Sequence, residues 1–144
     1  MDIQEYKCAG YTEVSSNIPQ QQIDRCEREV IEAYIEPILP TYDTDDSEVK
    51  AAIMCLAVLR MQLISIFATR SGAKEKTTAE SYAATRDNIR LQYARTADML
   101  LLALRRKPGA NASAKVNDIC GIYFVSNYVH ALYFVSLFLL SQKI

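Results

Sequence analysis

The chain has 144 residues, half of them hydrophobic, which is the size of one domain able to bury its own core. Charged residues make up 23% and the formal net charge is −1, a balance that excludes wholesale disorder and a generic polyanion binder. One histidine, His130, no tryptophan and only 4 glycines exclude multi-histidine metal sites and argue against a glycine-rich phosphate loop.

Met1 to Tyr11 is polar, without the basic start and apolar run of a signal peptide, so synthesis in a reducing cytoplasm is expected. Cys8, Cys26, Cys55 and Cys120 are widely spaced and form no C-x-x-C pair; all four read as structural thiols. The first helix signal is Asn17-Ile-Pro-Gln20, with Asn17 as the expected N-cap and Pro19 in the first turn. Ile23, Cys26, Val30, Ala33 and Tyr34 then recur at helical steps, and Glu27, Glu29, Glu32 and Glu36 form a solvated face. Pro37 and Pro40 are expected to end this helix.

Asp43 to Glu48 reads as a second helix start, with Asp45 as cap and Glu48 in the capping-box position. The cluster fails the EF-hand pattern, because Thr44 is no turn glycine and no Glu stands at the twelfth position. Val49 to Ala68 is apolar on nearly every side, so this helix must be covered on every side. Arg60 and Gln62 weigh against a membrane span there.

After the polar loop Arg70 to Thr78, capped by Thr77 or Thr78, a third helix is expected over Ala79 to Arg106, about 42 Å long. Tyr82, Ile89, Tyr93, Ala97, Leu100 and Leu104 form its stripe, with Arg86, Asp87, Arg90, Arg95 and Asp98 opposite. Pro108-Gly109 stops it. The predicted class is all-α: a compact bundle of three main helices with a C-terminal apolar and aromatic arm. The segments are an N-terminal arm (1–16), the helical domain (17–107), a linker (108–121) and the arm (122–144).

Ile122 to Leu140 decides the functional class. It reads as a tail-anchor span, as a fourth core helix, or as a strand or helical arm docked on a neighbour. On the docked reading the contact residues are Tyr123, Phe124, Val125, Tyr128, Tyr133, Phe134, Val135, Leu137 and Phe138. His130 reads as a hydrogen-bonded residue of that packed surface. Asn111-Ala-Ser113 matches a glycosylation sequon that carries no meaning in a cytoplasmic product.

Charge is polarised along the chain. Residues 1–50 hold 12 acidic and 4 basic side chains, residues 70–107 hold 9 basic and 4 acidic. Either the acidic and basic helices face each other within one chain, or the two faces join copies head to tail. No acid, base, nucleophile or metal set stands at a recognisable spacing, so the chain reads as non-enzymatic and without a cofactor.

Ile23-x-x-Cys26-x-x-x-Val30-x-x-x-Tyr34-Ile35 with its proline-containing link, then Ser47-Glu-Val-Lys-Ala-Ala-Ile-Met-Cys-Leu-Ala, the loop Thr69-Arg-Ser-Gly72 and the long helix Ser81 to Leu104 together resemble the head-to-tail connector proteins of tailed bacteriophages. The resemblance covers roughly Asn17 to Lys107 and is one of pattern, not of an invariant motif. It implies a small helical virion protein, made in the host cytoplasm and placed at the portal–tail junction. It also implies a homo-oligomeric ring, twelvefold in this family, bound to the portal protein and to tail or second-ring proteins. DNA would pass through without sequence-specific contact. Read from the residues, Arg86, Arg90 and Arg95 are either channel-lining residues or a solvated helix face. The competing reading is a small tail-anchored membrane protein with a cytoplasmic helical domain.

Overall fold

The computed structural model describes residues 1–69, 76–115, 119–120 and 139–142, of which 62–69 and 76–87 are described by backbone alone. The described residues are mostly helical and include no strand, in keeping with an all-α fold. The elements are α1 (Ile3–Cys8), α2 (Gln20–Val30), a π-helical turn (Ile31–Ile35), α3 (Glu36–Ile38), α4 (Ser47–Thr69) and α5 (Lys76–Leu104).

The N-terminal segment is built into the core. Asp2 caps α1 by accepting the Glu5 amide at 2.9 Å, and Gly10, at φ +99°, turns the chain away. Tyr6 is 0% exposed, and its hydroxyl donates to Glu27 Oε1 at 2.7 Å. The same carboxylate takes the Met1 ammonium on Oε2 at 3.1 Å. Lys50 pairs with Glu5 at 3.3 Å, Lys7 donates to Ser16 Oγ, and Val14 is buried.

The start of α2 differs from the expected capping box. Pro19, not Asn17, occupies the cap position and no side chain closes it; the Pro19 carbonyl takes the Gln22 and Ile23 amides instead. A proline already fixed in φ aims the chain into the helix, while the Asn17 amide is held by Ser15 Oγ at 3.3 Å. Ile23, Cys26 and Val30 face inward. Pro37 does not end the helix. Its ring would collide with the Ala33 carbonyl in a regular α turn, and the wider π turn over Ile31–Ile35 carries the chain past it into α3. Leu39, extended ahead of Pro40, is where the helix stops.

Asp46, one residue beyond the expected Asp45, starts α4 by accepting the Glu48 amide at 2.9 Å and the Val49 amide at 3.3 Å. Asp43 spends its carboxylate one turn earlier, on the Asp45 amide at 2.9 Å. From Ala52 to Leu59 every residue of α4 is buried. The helix packs against α2, the π turn and α5, which together sheathe it.

α5 presents Ala94, Ala97, Leu101 and Leu104 inward, a stripe at steps of three and four. The two alanines let it approach α4 closely, and Cys55 of α4 donates its thiol to the Tyr93 carbonyl at 3.2 Å. Tyr11 stacks edge-on against Tyr93 with ring centroids 5.3 Å apart, and the Tyr93 hydroxyl donates to Glu13 at 2.6 Å. α5 begins at Lys76, so Thr77 and Thr78 lie inside its first turn, and it ends at Leu104, two residues before the expected Arg106. Gly109, at φ +80°, turns the chain so that the Asn111 amide reaches the Ile38 carbonyl at 2.7 Å. Asp98 takes the Ile119 and Cys120 amides at 2.9 and 3.0 Å, a cap supplied from α5 to the helical residues at 119–120.

Two predictions follow from the buried tyrosine and thiols. Tyr6→Ala will lower unfolding free energy in urea by about 3–5 kcal/mol, as expected for emptying an aromatic site, and Tyr6→Phe by only about 1–2 kcal/mol. Burial pushes the Cys55 thiol up to about 11 and raises Cys26 as well, so both stay protonated at neutral pH. In native protein, exposed Cys8 will react with a maleimide well before Cys26 and Cys55, which will label only on unfolding.

Candidate interaction surfaces

Among the described residues, the acidic N-terminal third and the cations further along the chain meet within one molecule at two places. Glu29 sits between Arg60 Nη1 at 2.8 Å and Arg25 Nε at 3.0 Å. Lys107, just past α5, reaches Asp46 at 2.8 Å and Glu48 at 3.5 Å, tying the end of α5 to the start of α4. These contacts hold the Glu29 carboxyl below the usual range, chiefly through Arg25, and the Asp46 carboxyl below it, chiefly through Lys107. The four glutamates read as one solvated face of the first helix therefore divide. Glu27 and Glu29 are engaged internally; Glu32 and Glu36 are exposed and have no ion-pair partner among the described residues.

Those two remaining acids rim a shallow open groove of about 270 Å³ running along α2, the π turn and α3. Asp24, Glu27, Glu32 and Glu36 line it with Ile31 and Tyr42, and Arg28 is its single cation. Apolar atoms of Ile31 and Tyr42 thus lie between carboxylates.

The outward side of α5 has the opposite character. Arg95, Met99 and Leu102 follow one another at steps of four and three, opposite the buried stripe, and Arg106 stands in the turn just past Leu104. Met99 is 72% and Leu102 51% exposed, and both arginines stand in solvent without an ion-pair partner among the described residues. Leu139 and Leu140 are exposed as well.

Arg90 and Arg95, read together as channel lining, do not share a face. Arg90 falls on the inward stripe, one turn before Ala94, half-buried and with Nε and Nη2 shut off from solvent. Arg86 belongs to the part of α5 described by backbone alone. Asp98, grouped with them as solvated, is turned to the amides at 119–120. Tyr123, Phe124, Val125, Tyr128, His130, Tyr133, Phe134, Val135, Leu137 and Phe138 lie outside the described residues, as does the loop at 70–75. Among the described residues no helix is long and apolar enough to cross a membrane, and no group of three metal-ligating side chains converges.

Met99 and Leu102 escaped the sequence reading, which assigned α5 a single apolar stripe. The signal was present: Met99 to Leu104 is apolar at six successive positions, more than one helix face can bury.

The Lys107–Asp46 pair has a pH signature. A carboxyl depressed by folding stabilises the fold above its unfolded pKa, and that contribution disappears as pH falls through the lower folded value. Asp46 starts from an ordinary value of 3.8, so the loss falls below about pH 4. Lys107→Met will make the urea midpoint fall less steeply below pH 4 than in the parent; an unchanged acid limb would contradict this assignment.

Comparison with protein-family models, with curated protein sequences and with solved structures finds no match to this chain.

Proposed function

We propose that this chain is a structural assembly protein, a connector subunit that forms a ring between the portal and the tail of a bacteriophage virion. The observation that carries the reading is the outward side of α5, where Met99 and Leu102 stand in solvent between Arg95 and Arg106. An apolar pair framed by exposed arginines is a surface suited to being covered by protein.

Its size fits a contact that is repeated. Covering two such side chains yields about 2–4 kcal/mol, whereas a micromolar association needs about 8 kcal/mol. The remainder falls to charge pairs at the rim and to the apolar residues between 122 and 140. In a closed ring each subunit uses two such contacts, so modest interfaces give a stable whole.

On this reading the chain has the helical-bundle form of a connector, with 122–144 as a docking arm. It works without catalysis or cofactor, in a homo-oligomer that is twelvefold by resemblance. It stands between the portal protein and tail or second-ring proteins, with DNA passing through the lumen. Arg95, which flanks that covered pair, then belongs to the subunit contact and not to the channel lining. The polarised charge, the adhesive α5 face and the pattern resemblance over Asn17 to Lys107 all support the same reading.

Electron microscopy of the full chain mixed with its portal protein tests the proposal. Rings of this protein seated coaxially on the portal are the expected result. A protein that stays monomeric and ignores both portal and tail components would overturn it.

A further inference from the structure

We propose that the outward stripe of α5 docks into the acidic groove along α2, the π turn and α3 of a second copy of this chain, head to tail. The inference rests on the assembly reading above and names the two surfaces that would join neighbouring subunits.

Charge and spacing make the two surfaces complementary. The stripe carries cations at its ends, Arg95 and Arg106, with Met99 and Leu102 between them. The groove carries Asp24 near one end and Glu32 and Glu36 toward the other, with apolar Ile31 and Tyr42 on its wall. Arg95 to Leu104 is about 14 Å of α-helix with Arg106 in the turn just beyond; Asp24 to Glu36 runs through α2 and the wider π turn, at most about 18 Å. A helix laid along the groove brings an arginine near each acidic end and the two apolar residues over Ile31 and Tyr42.

The two surfaces are open in the single chain, so they are not spent on each other. α2 and α5 each pack on α4 far more than on one another, which leaves both free for neighbours. A two-fold contact of α5 with α5 would bring Arg95 and Arg106 onto the arginines of the other copy, in either orientation. Like charges at a closing interface are costly, so the heterologous pairing is favoured. Heterologous contacts close into rings when the rotation permits.

The test uses the full chain in two charge-reversed forms, Asp24→Lys with Glu32→Lys and Glu36→Lys, and Arg95→Glu with Arg106→Glu. All five positions are exposed, and circular dichroism with urea unfolding verifies that each form folds as the parent does. Native mass spectrometry at low salt is expected to show multimers for the parent and monomers for each reversed form alone. Mixed at equal concentration, the two reversed forms will regain multimers holding both chains in equal numbers, because each groove then meets a stripe of opposite charge. A reversed form that assembles like the parent, or a mixture that stays monomeric, overturns the inference. If that happens while the parent still joins the portal, the connector reading stands and this surface alone falls. A parent that neither self-associates nor joins the portal removes both.

Discussion

A helix with no polar side imposes the rest of this architecture. From Ala52 to Leu59 no residue of α4 reaches solvent, so the chain has to supply cover around the full circumference. α2 and the π turn give part of that cover through Ile23, Cys26, Val30 and Ile35, and α5 gives part through Ala94, Ala97, Leu101 and Leu104. The N-terminal segment, polar by composition, contributes Tyr6 and Val14 to the core. Its attachment is through polar handles: Tyr6 and the Met1 ammonium on Glu27, and Tyr93 on Glu13. A tyrosine buried by its ring and satisfied at its hydroxyl suits such an attachment, since the ring supplies burial and the hydroxyl is not orphaned.

Once α4 is sheathed, what is left over becomes informative. The cations closest to the acidic third, Arg60 and Lys107, are used inside the molecule, and so are Glu29 and Asp46. Charge polarity along the chain is thus partly answered within one copy. Glu32 and Glu36 on one side, and Arg95 and Arg106 on another, are not absorbed in this way. Each set flanks apolar side chains, Ile31 and Tyr42 in the groove, Met99 and Leu102 on the stripe. Surface charges alone contribute little; charges that frame a desolvated apolar centre set register and partner choice.

The helical class was legible because apolar residues recur at three and four and because Val49 to Ala68 has no polar face at all. Helix ends were harder to read, and each miss has a physical origin. Asp45 and Asp46 are adjacent acids, and only the register of the first turn, together with Lys107 from far along the chain, selects Asp46. Pro37 looked like a terminator because a π turn leaves no mark in the sequence. α1 is six residues long, too short for periodicity to reveal, and Tyr6 is its only fully buried side chain. At the candidate surface, Arg90 and Arg95 differ by five positions, which on a helix is about 140° of rotation. Proximity in sequence grouped them; the helix separates them. The groove was not legible, since nothing in four spaced glutamates tells which two will be taken up by Tyr6, Met1 and Arg60.

The completed core leaves an apolar and charged surface that, on the proposed assembly, another copy covers. Sedimentation velocity of the full chain, over a range of concentration and salt, tests it most directly. Species larger than a monomer, growing with concentration and dissociating as rising salt screens the rim charges, are the expected result. A single monomeric boundary at every concentration and ionic strength would contradict it.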